Sequence, residues 1–410
     1  MKPKLLFFTQ SYITGFGGIA SYAHDFVEAF SNKFQILVIT ADNYTKSERD
    51  NYVQDILYYN NRDFSVKNAN DILNFIQKQK PSIIINSAFA ILSLITPYIS
   101  NDIKIFNISH FVNGLLSWYA GLNGNYTNGI IALSSYGKKY IDKKFNITDK
   151  KKTRVIFNFM PEIDSVSSDK FTRERLKIVY PGGCSFYKSA EIVCLALKKL
   201  LYKPIDFEFY WLGNTKIPGG NSGYFKTNNI RDCLPKDTRI KQIGPVNRET
   251  SKEILSNANI FLLPSRGEGF PITLVEAMRS GCIPIISTAQ HGSLDIIKDK
   301  QNGIIIQQGN ANAIVNTIED IIKKHPKYKH IYKNSQLYYK EYLTKDVWCK
   351  KMEEIIDSPS NHYNRFSKLK TALYIRDVLV LRLLMFEYFV KDRFIQLYHF
   401  IHFRITRYLY

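Results

Sequence analysis

Glu268 and Glu276 stand eight positions apart in the stretch Pro264-Ser265-Arg266-Gly267-Glu268-Gly269-Phe270-Pro271-Ile272-Thr273-Leu274-Val275-Glu276. Ionised carboxylates accept hydrogen bonds from hydroxyls and repel phosphate, so the pair suits a hydroxyl-bearing ligand. The surrounding elements suit an anion. The apolar run Ile260–Leu263 reads as a buried strand. Gly267 and Gly269 bracket Glu268, and Pro271 fits the first turn of a helix, where a missing N–H costs nothing. Strand, glycine-bracketed loop and helix N-terminus together make a phosphate cradle. Its donors would be the N–H groups of Phe270, Ile272 and Thr273, since Pro271 has none. Phosphate and hydroxyls side by side describe a nucleotide-sugar.

Two further loops carry the same kind of signal. Gly15-Phe16-Gly17-Gly18 follows a first strand and precedes an apolar-periodic stretch, residues 20–30. Glycines there let backbone approach a phosphate, although an ordinary turn reads the same way. Tyr180-Pro181-Gly182-Gly183-Cys184-Ser185-Phe186-Tyr187-Lys188 follows another strand and ends on a cation. His110 closes the apolar run Phe106-Asn107-Ile108-Ser109, where a histidine serves either a ligand or the core.

Short β-rich runs alternate with longer helical patterns. Strands are expected at 4–8, 34–40, 82–86, 104–109, 130–134 and 155–157, then at 177–180, 207–212, 260–263, 283–287 and 303–307. Strands separated by helices make parallel sheets, and here there are two sets. The polar segment 161–172 is the linker expected between them. The division is residues 1–165 for an acceptor-side domain, 166–343 for a donor domain, and 344–410 for a closing helix and a tail. The fold class is α/β: two doubly wound domains facing a cleft, plus a helical extension.

The composite around Glu268 resembles the Glu-x7-Glu motif of retaining glycosyltransferases with the GT-B fold, in particular family 4. The likeness runs over roughly 4–357 and is strongest over 258–306. It implies that Glu268 lies at the donor sugar and Glu276 at the ribose. It also implies that the Gly17-Gly18 loop closes over the diphosphate, and that His110 contacts the sugar. Ser134–Lys138, Asn158 and the turn His291-Gly292-Ser293-Leu294-Asp295 have counterparts in the family without a chemical assignment here. Two departures stand out. Where the family carries Arg and Lys-Gly, this chain has Gly183 and Lys188-Ser189. A glycine cannot grip phosphate bidentately as arginine does, so Arg266, Arg248 or Lys216 would have to compensate.

The resemblance implies retention by attack on the same face, with the leaving phosphate taking the acceptor proton. Glu268 is then not a nucleophile. No Asp-x-Asp is present to hold a metal, and no cofactor is expected beyond a UDP- or GDP-linked donor as substrate. The expected acceptor is a glycan or a polyprenyl-diphosphate-linked sugar in bacterial surface polysaccharide assembly. The alternative is a degenerate GT-B subunit scaffolding a partner enzyme, because of Gly183. A nicotinamide dehydrogenase is disfavoured by the lack of Gly-x-Gly-x-x-Gly after a strand.

The 410-residue chain carries 56 Lys and Arg against 36 Asp and Glu, a formal charge of +20. That favours anionic partners, although no nucleic-acid module is recognised. Five scattered cysteines without a Cys-x-x-Cys form neither a zinc site nor a disulfide framework, and fit the cytoplasm. The start, Met1 to Phe8, reads as a strand rather than a leader. Residues 361–410 combine dense apolar and aromatic residues with nine basic and three acidic ones. The charges do not fall on one clean helical face. The tail is expected either to pack on the first domain or to meet an anionic membrane surface.

Overall fold

The computed structural model describes residues 2–12, 17–42, 51–112, 114–163, 171, 175–184, 186–214, 234–289, 291–359 and 365–409. Gly15, Phe16, Ser185, Lys216, Cys233 and most of the 161–172 segment lie outside them. The chain forms two units. One holds Met1–Ala132, Gly137–Arg154 and Ser358–Tyr410, and the other holds Leu133–Tyr136 and Val155–Asp357.

The first unit is built on seven strands: β1 Lys4–Thr9, β2 Gln35–Thr40, β3 Asp55–Tyr58, β4 Ile83–Ser87, β5 Lys104–Ser109, β6 Gly129–Ala132 and β7 Thr153–Val155. Their order is β3-β2-β1-β4-β5-β6-β7, and the β1–β2, β1–β4, β2–β3, β4–β5 and β5–β6 pairs are parallel. The central strands β1, β4 and β5 are buried almost end to end, as expected of strands covered on both faces. The helix Val66–Gln79 shows how sequence makes the cover. Ser65 caps it, accepting from the Asn68 N–H, and Ala69, Ile72, Leu73 and Ile76 recur at helical spacing on its buried side. They join Leu6, Phe8, Leu37, Ile39, Ile84 and Ile105 in one core. Each large side chain so buried contributes about 1.5–3 kcal/mol.

The second unit repeats the plan with β8 Leu176–Tyr180, β9 Phe207–Leu212, β10 Ile240–Gly244, β11 Ile260–Leu263, β12 Ile283–Ser287 and β13 Ile304–Ile306. The order is β10-β9-β8-β11-β12-β13, with every ladder parallel. Both sheets are therefore doubly wound, as the alternation of runs implies. The direction of winding reverses between β1 and β4 in one sheet and between β8 and β11 in the other, and such switch points are where open α/β sheets bind ligands.

The sequence reading missed β3 and β10. Both are edge strands, flanked on one side only. β3 has no buried residue in Asp-Ile-Leu-Tyr, and β10, Ile-Lys-Gln-Ile-Gly, has none either. β10 breaks its run with Lys241 and Gln242, and β3 is only four residues long. Residues 371–409 form one 39-residue helix rather than a helical pair. Tyr374, Val378 and Leu381 bury themselves in the core of the first unit. Ahead of that helix, Arg365 donates to the carbonyls of Tyr126, Ser100 and Ile103, which anchors the returning chain to the same unit.

Candidate active site

The Glu268 loop leaves β11 and the Lys188 loop leaves β8, so both stand at the carboxyl ends of the switch-point strands of the second unit. The β8–β11 ladder ends at Val179 opposite Phe261, whereas β8 continues to pair with β9 through Tyr180. Beyond that point the two loops are tied together. The Arg266 N–H donates to the Tyr187 carbonyl at 2.7 Å, and Lys188 Nζ donates to Glu268 Oε1 at 2.5 Å. Ser265 Oγ donates to the same carboxylate oxygen at 2.8 Å. Glu268 is 9% exposed, so its charge is held by these two partners rather than by bulk water.

The Lys188 loop is set from beneath by Tyr180. Its hydroxyl lies 2.9 Å from the Lys188 carbonyl and 3.3 Å from that of Gly183. A Cβ on Gly182 would come within 2.3 Å of the Tyr180 ring, so that position admits only glycine. Gly183 is different. Among the described residues, a Cβ there would meet only the Asn214 backbone, at 3.4 Å, an ordinary contact. Sterics therefore do not explain why arginine is missing. Ser189, where the family has glycine, adopts φ 56° and ψ 38°, the left-handed region that glycine enters without strain. Its hydroxyl is buried without a partner. Arg266 does not hang free: it donates to Glu191 on the helix Ala190–Leu200.

On the other side, Pro271 caps the helix Ile272–Arg279 with no side-chain acceptor, which leaves the first-turn N–H groups of Ile272 and Thr273 for a ligand. Gly269 and Phe270 precede it. Phe270 stacks on Phe157 at 5.3 Å and 10°. The Gly292 N–H holds the Gly269 carbonyl at 3.1 Å, and a Cβ on Gly292 would fall 2.4 Å from that oxygen. Glu276 is on the second turn of the same helix, buried, and accepts from Ser251 Oγ at 3.4 Å.

Sequence reasoning missed the shell that fixes this loop. Ser287, at the end of β12, donates to the Ser265 carbonyl, and His291 Nε2 lies 3.4 Å from the same hydroxyl. The Ser293 N–H donates to His291 Nδ1, so the network places the ring proton on Nε2. Burial pushes the His291 pKa down to about 4, and the ring is neutral near pH 7. The one sequence signal was a histidine in the turn after an apolar strand.

In the first unit, Gly17 and Gly18 open the helix Gly17–Phe30 after β1. His110 follows β5, with Nε2 2.8 Å from Ser87 Oγ at the end of β4 and Tyr22 edge-on at 5.1 Å. It too is buried, and desolvation lowers its pKa to about 3. A neutral imidazole there hydrogen-bonds but carries no charge. Among the described residues no cluster of His, Cys, Asp and Glu is arranged to hold a metal ion.

Residues 165–338 match the family model described as Glycosyl transferases group 1. The chain is 25% identical over 207 residues to an uncharacterized glycosyltransferase of Methanocaldococcus jannaschii, covering 47% of this chain and 50% of that protein. It is 37% identical over 76 residues to the lipopolysaccharide 1,6-galactosyltransferase of Salmonella typhimurium, covering 18% and 21%. The alignments thus span about half or less of these curated relatives. Among solved structures, Anabaena HepE in complex with UDP-glucose aligns with a TM-score of 0.70 at 16% identity, covering 87% of this chain and 100% of that one. The fold is the GT-B fold of glycosyltransferases, and residues 165–338 resemble the group 1 family.

Proposed function

We propose that the protein is a retaining, metal-independent glycosyltransferase of family 4. It moves a hexose from a UDP- or GDP-linked donor to an acceptor hydroxyl. The observation that carries this reading is the meeting of Lys188 and Glu268 at the carboxyl ends of β8 and β11, the switch point of the second sheet. A cation, a carboxylate and an uncapped helix N-terminus stand there on neighbouring loops.

Each has a task in the reaction. The bond that breaks joins the anomeric carbon to the diphosphate, and negative charge grows on the leaving oxygen. Lys188 and the N–H groups of Ile272 and Thr273 oppose that charge from fixed positions, which lowers the barrier without reorganisation. Glu268 accepts from sugar hydroxyls, and Glu276 accepts from the ribose. The acceptor proton passes to the departing phosphate, so no separate base is required. Within the first unit, neutral His110 hydrogen-bonds a sugar hydroxyl. The acceptor is a glycan or a polyprenyl-diphosphate-linked sugar of a bacterial surface polysaccharide, extended in the cytoplasm.

A donor screen with mass detection of released nucleotide tests the reading. Glu268→Ala should abolish sugar release from the preferred donor while the circular dichroism spectrum is kept. Full activity in that variant would sink the assignment.

A further inference from the structure

The helix Thr371–Leu409 has two apolar faces. Tyr374, Val378 and Leu381 fill the core of the first unit, and Tyr388 meets Trp118 edge-on at 5.9 Å. Ile375, Leu379, Leu383, Phe386 and Val390 recur at helical spacing on the opposite side, and all are exposed, Leu383 at 68% and Phe386 at 69%. The sequence keeps that spacing through Phe394, Leu397 and Ile401. One face would dock the helix, so the second needs its own explanation.

Charge identifies the occupant. The acidic groups near the stripe are taken up by the protein itself. Asp377 is buried and accepts from Asn123 at 3.3 Å, and Glu387 lies 4.0 Å from Lys144. Arg376 pairs with that Asp377 carboxylate at 2.8 Å, whereas Arg382 is exposed beside the stripe, and Lys391 and Arg393 follow in sequence. Two copies packed on this face would bring like charges together on its flanks, which disfavours a second copy. An apolar stripe flanked by cations matches an anionic bilayer surface, where side chains enter the acyl boundary and arginines reach headgroup phosphates. At 39 residues the helix is about 58 Å long. Among the described residues no helix is long and apolar enough to cross a membrane, and an amphipathic helix with cations on its polar side lies in the plane of the surface.

We propose that the outward face of this helix, through Leu379, Leu383, Phe386 and Val390 with Arg382, binds the surface of an anionic lipid bilayer. The proposal is argued from the helix alone and does not depend on the donor.

Vesicle co-sedimentation of the full-length protein tests it, without any donor. Vesicles with about 30 mol% phosphatidylglycerol should bind the protein, and neutral phosphatidylcholine vesicles should bind it roughly tenfold less. The double variant L383S/F386S should bind anionic vesicles at least about tenfold more weakly, because each large apolar group leaving water strengthens partitioning by about that factor. R382Q should bind more weakly at low salt and converge on wild type in high salt. Leu383, Phe386 and Arg382 are all exposed, so the thermal transition should stay put. Equal binding by L383S/F386S and wild type overturns the proposal, as does failure of the wild type to bind anionic vesicles. Conversion of a wild-type dimer to monomer by L383S/F386S, without vesicle binding, also overturns it and assigns the face to a second copy.

Discussion

Replacing Glu268 by Gln should tighten the binding of a free nucleoside diphosphate while stopping sugar transfer. Lys188 is now neutralised by Glu268 at 2.5 Å, and that carboxylate is buried beside the helix start where a diphosphate would sit. The substitution removes a competitor for the ammonium and a charge that repels the phosphates. A charge pair at 4 Å is worth about 4 kcal/mol at an effective dielectric of about 20. The Lys188 side chain is 32% exposed, so solvent reduces the net effect to about 1–2 kcal/mol. That is roughly a five- to thirtyfold lower Kd for UDP or GDP. Lys188→Met works in the other direction. It removes a charge-assisted contact of about 1.5–3 kcal/mol and leaves Glu268 unopposed, for a tenfold or greater loss of affinity. Calorimetry with UDP and GDP at low and high salt reads both, and the gap between the variants should narrow as salt rises. Weaker nucleotide binding by Glu268→Gln, or unchanged binding by Lys188→Met, would refute the placement of the diphosphate.

Three other outcomes follow from the same coordinates. Gly183→Arg should be accommodated, since its Cβ meets only Asn214 backbone at 3.4 Å, and should tighten UDP binding by roughly tenfold in calorimetry. Ser189→Gly should relieve the left-handed strain at φ 56° and stabilise the second unit by about 0.5–1 kcal/mol after the entropy gained by the unfolded chain, seen as a small rise in its Tm. The unfolded state protonates histidine near pH 6.5, while buried His110 resists down to about 3, so stability from this residue is full above pH 6.5 and falls as pH drops through that window. Wild type should therefore lose about 2 kcal/mol more than His110→Gln between pH 6.5 and pH 5 in denaturant titrations of the first unit, and identical losses would contradict this.

The loop around Glu268 was legible because its signals are local: an apolar strand, bracketing glycines and a proline at the helix start. The doubly wound plan was legible for the same reason, strand by strand, except at β3 and β10, whose edge positions leave them half-exposed and which are short or interrupted by polar residues. The meeting of Lys188 with Glu268 joins residues 80 positions apart and depends on strand order, which local pattern does not encode. The bonds of Ser265, Ser287 and His291 are invisible for the same reason. The tail shows a related limit. Its charges look scattered because Asp377 is turned inward, held by Asn123 as well as by Arg376, and Glu387 lies against Lys144, contacts that depend on residues far away in sequence.

On the proposed reading a nucleotide-sugar binds at the switch point of the second sheet. Hydrogen–deuterium exchange with and without a panel of UDP- and GDP-sugars tests it most directly. At least one donor should slow exchange in peptides covering 181–189 and 264–276, and Glu268→Ala should weaken the protection that depends on the sugar but not that given by the nucleotide alone. Protection confined to other segments, or none with any donor, would contradict the account.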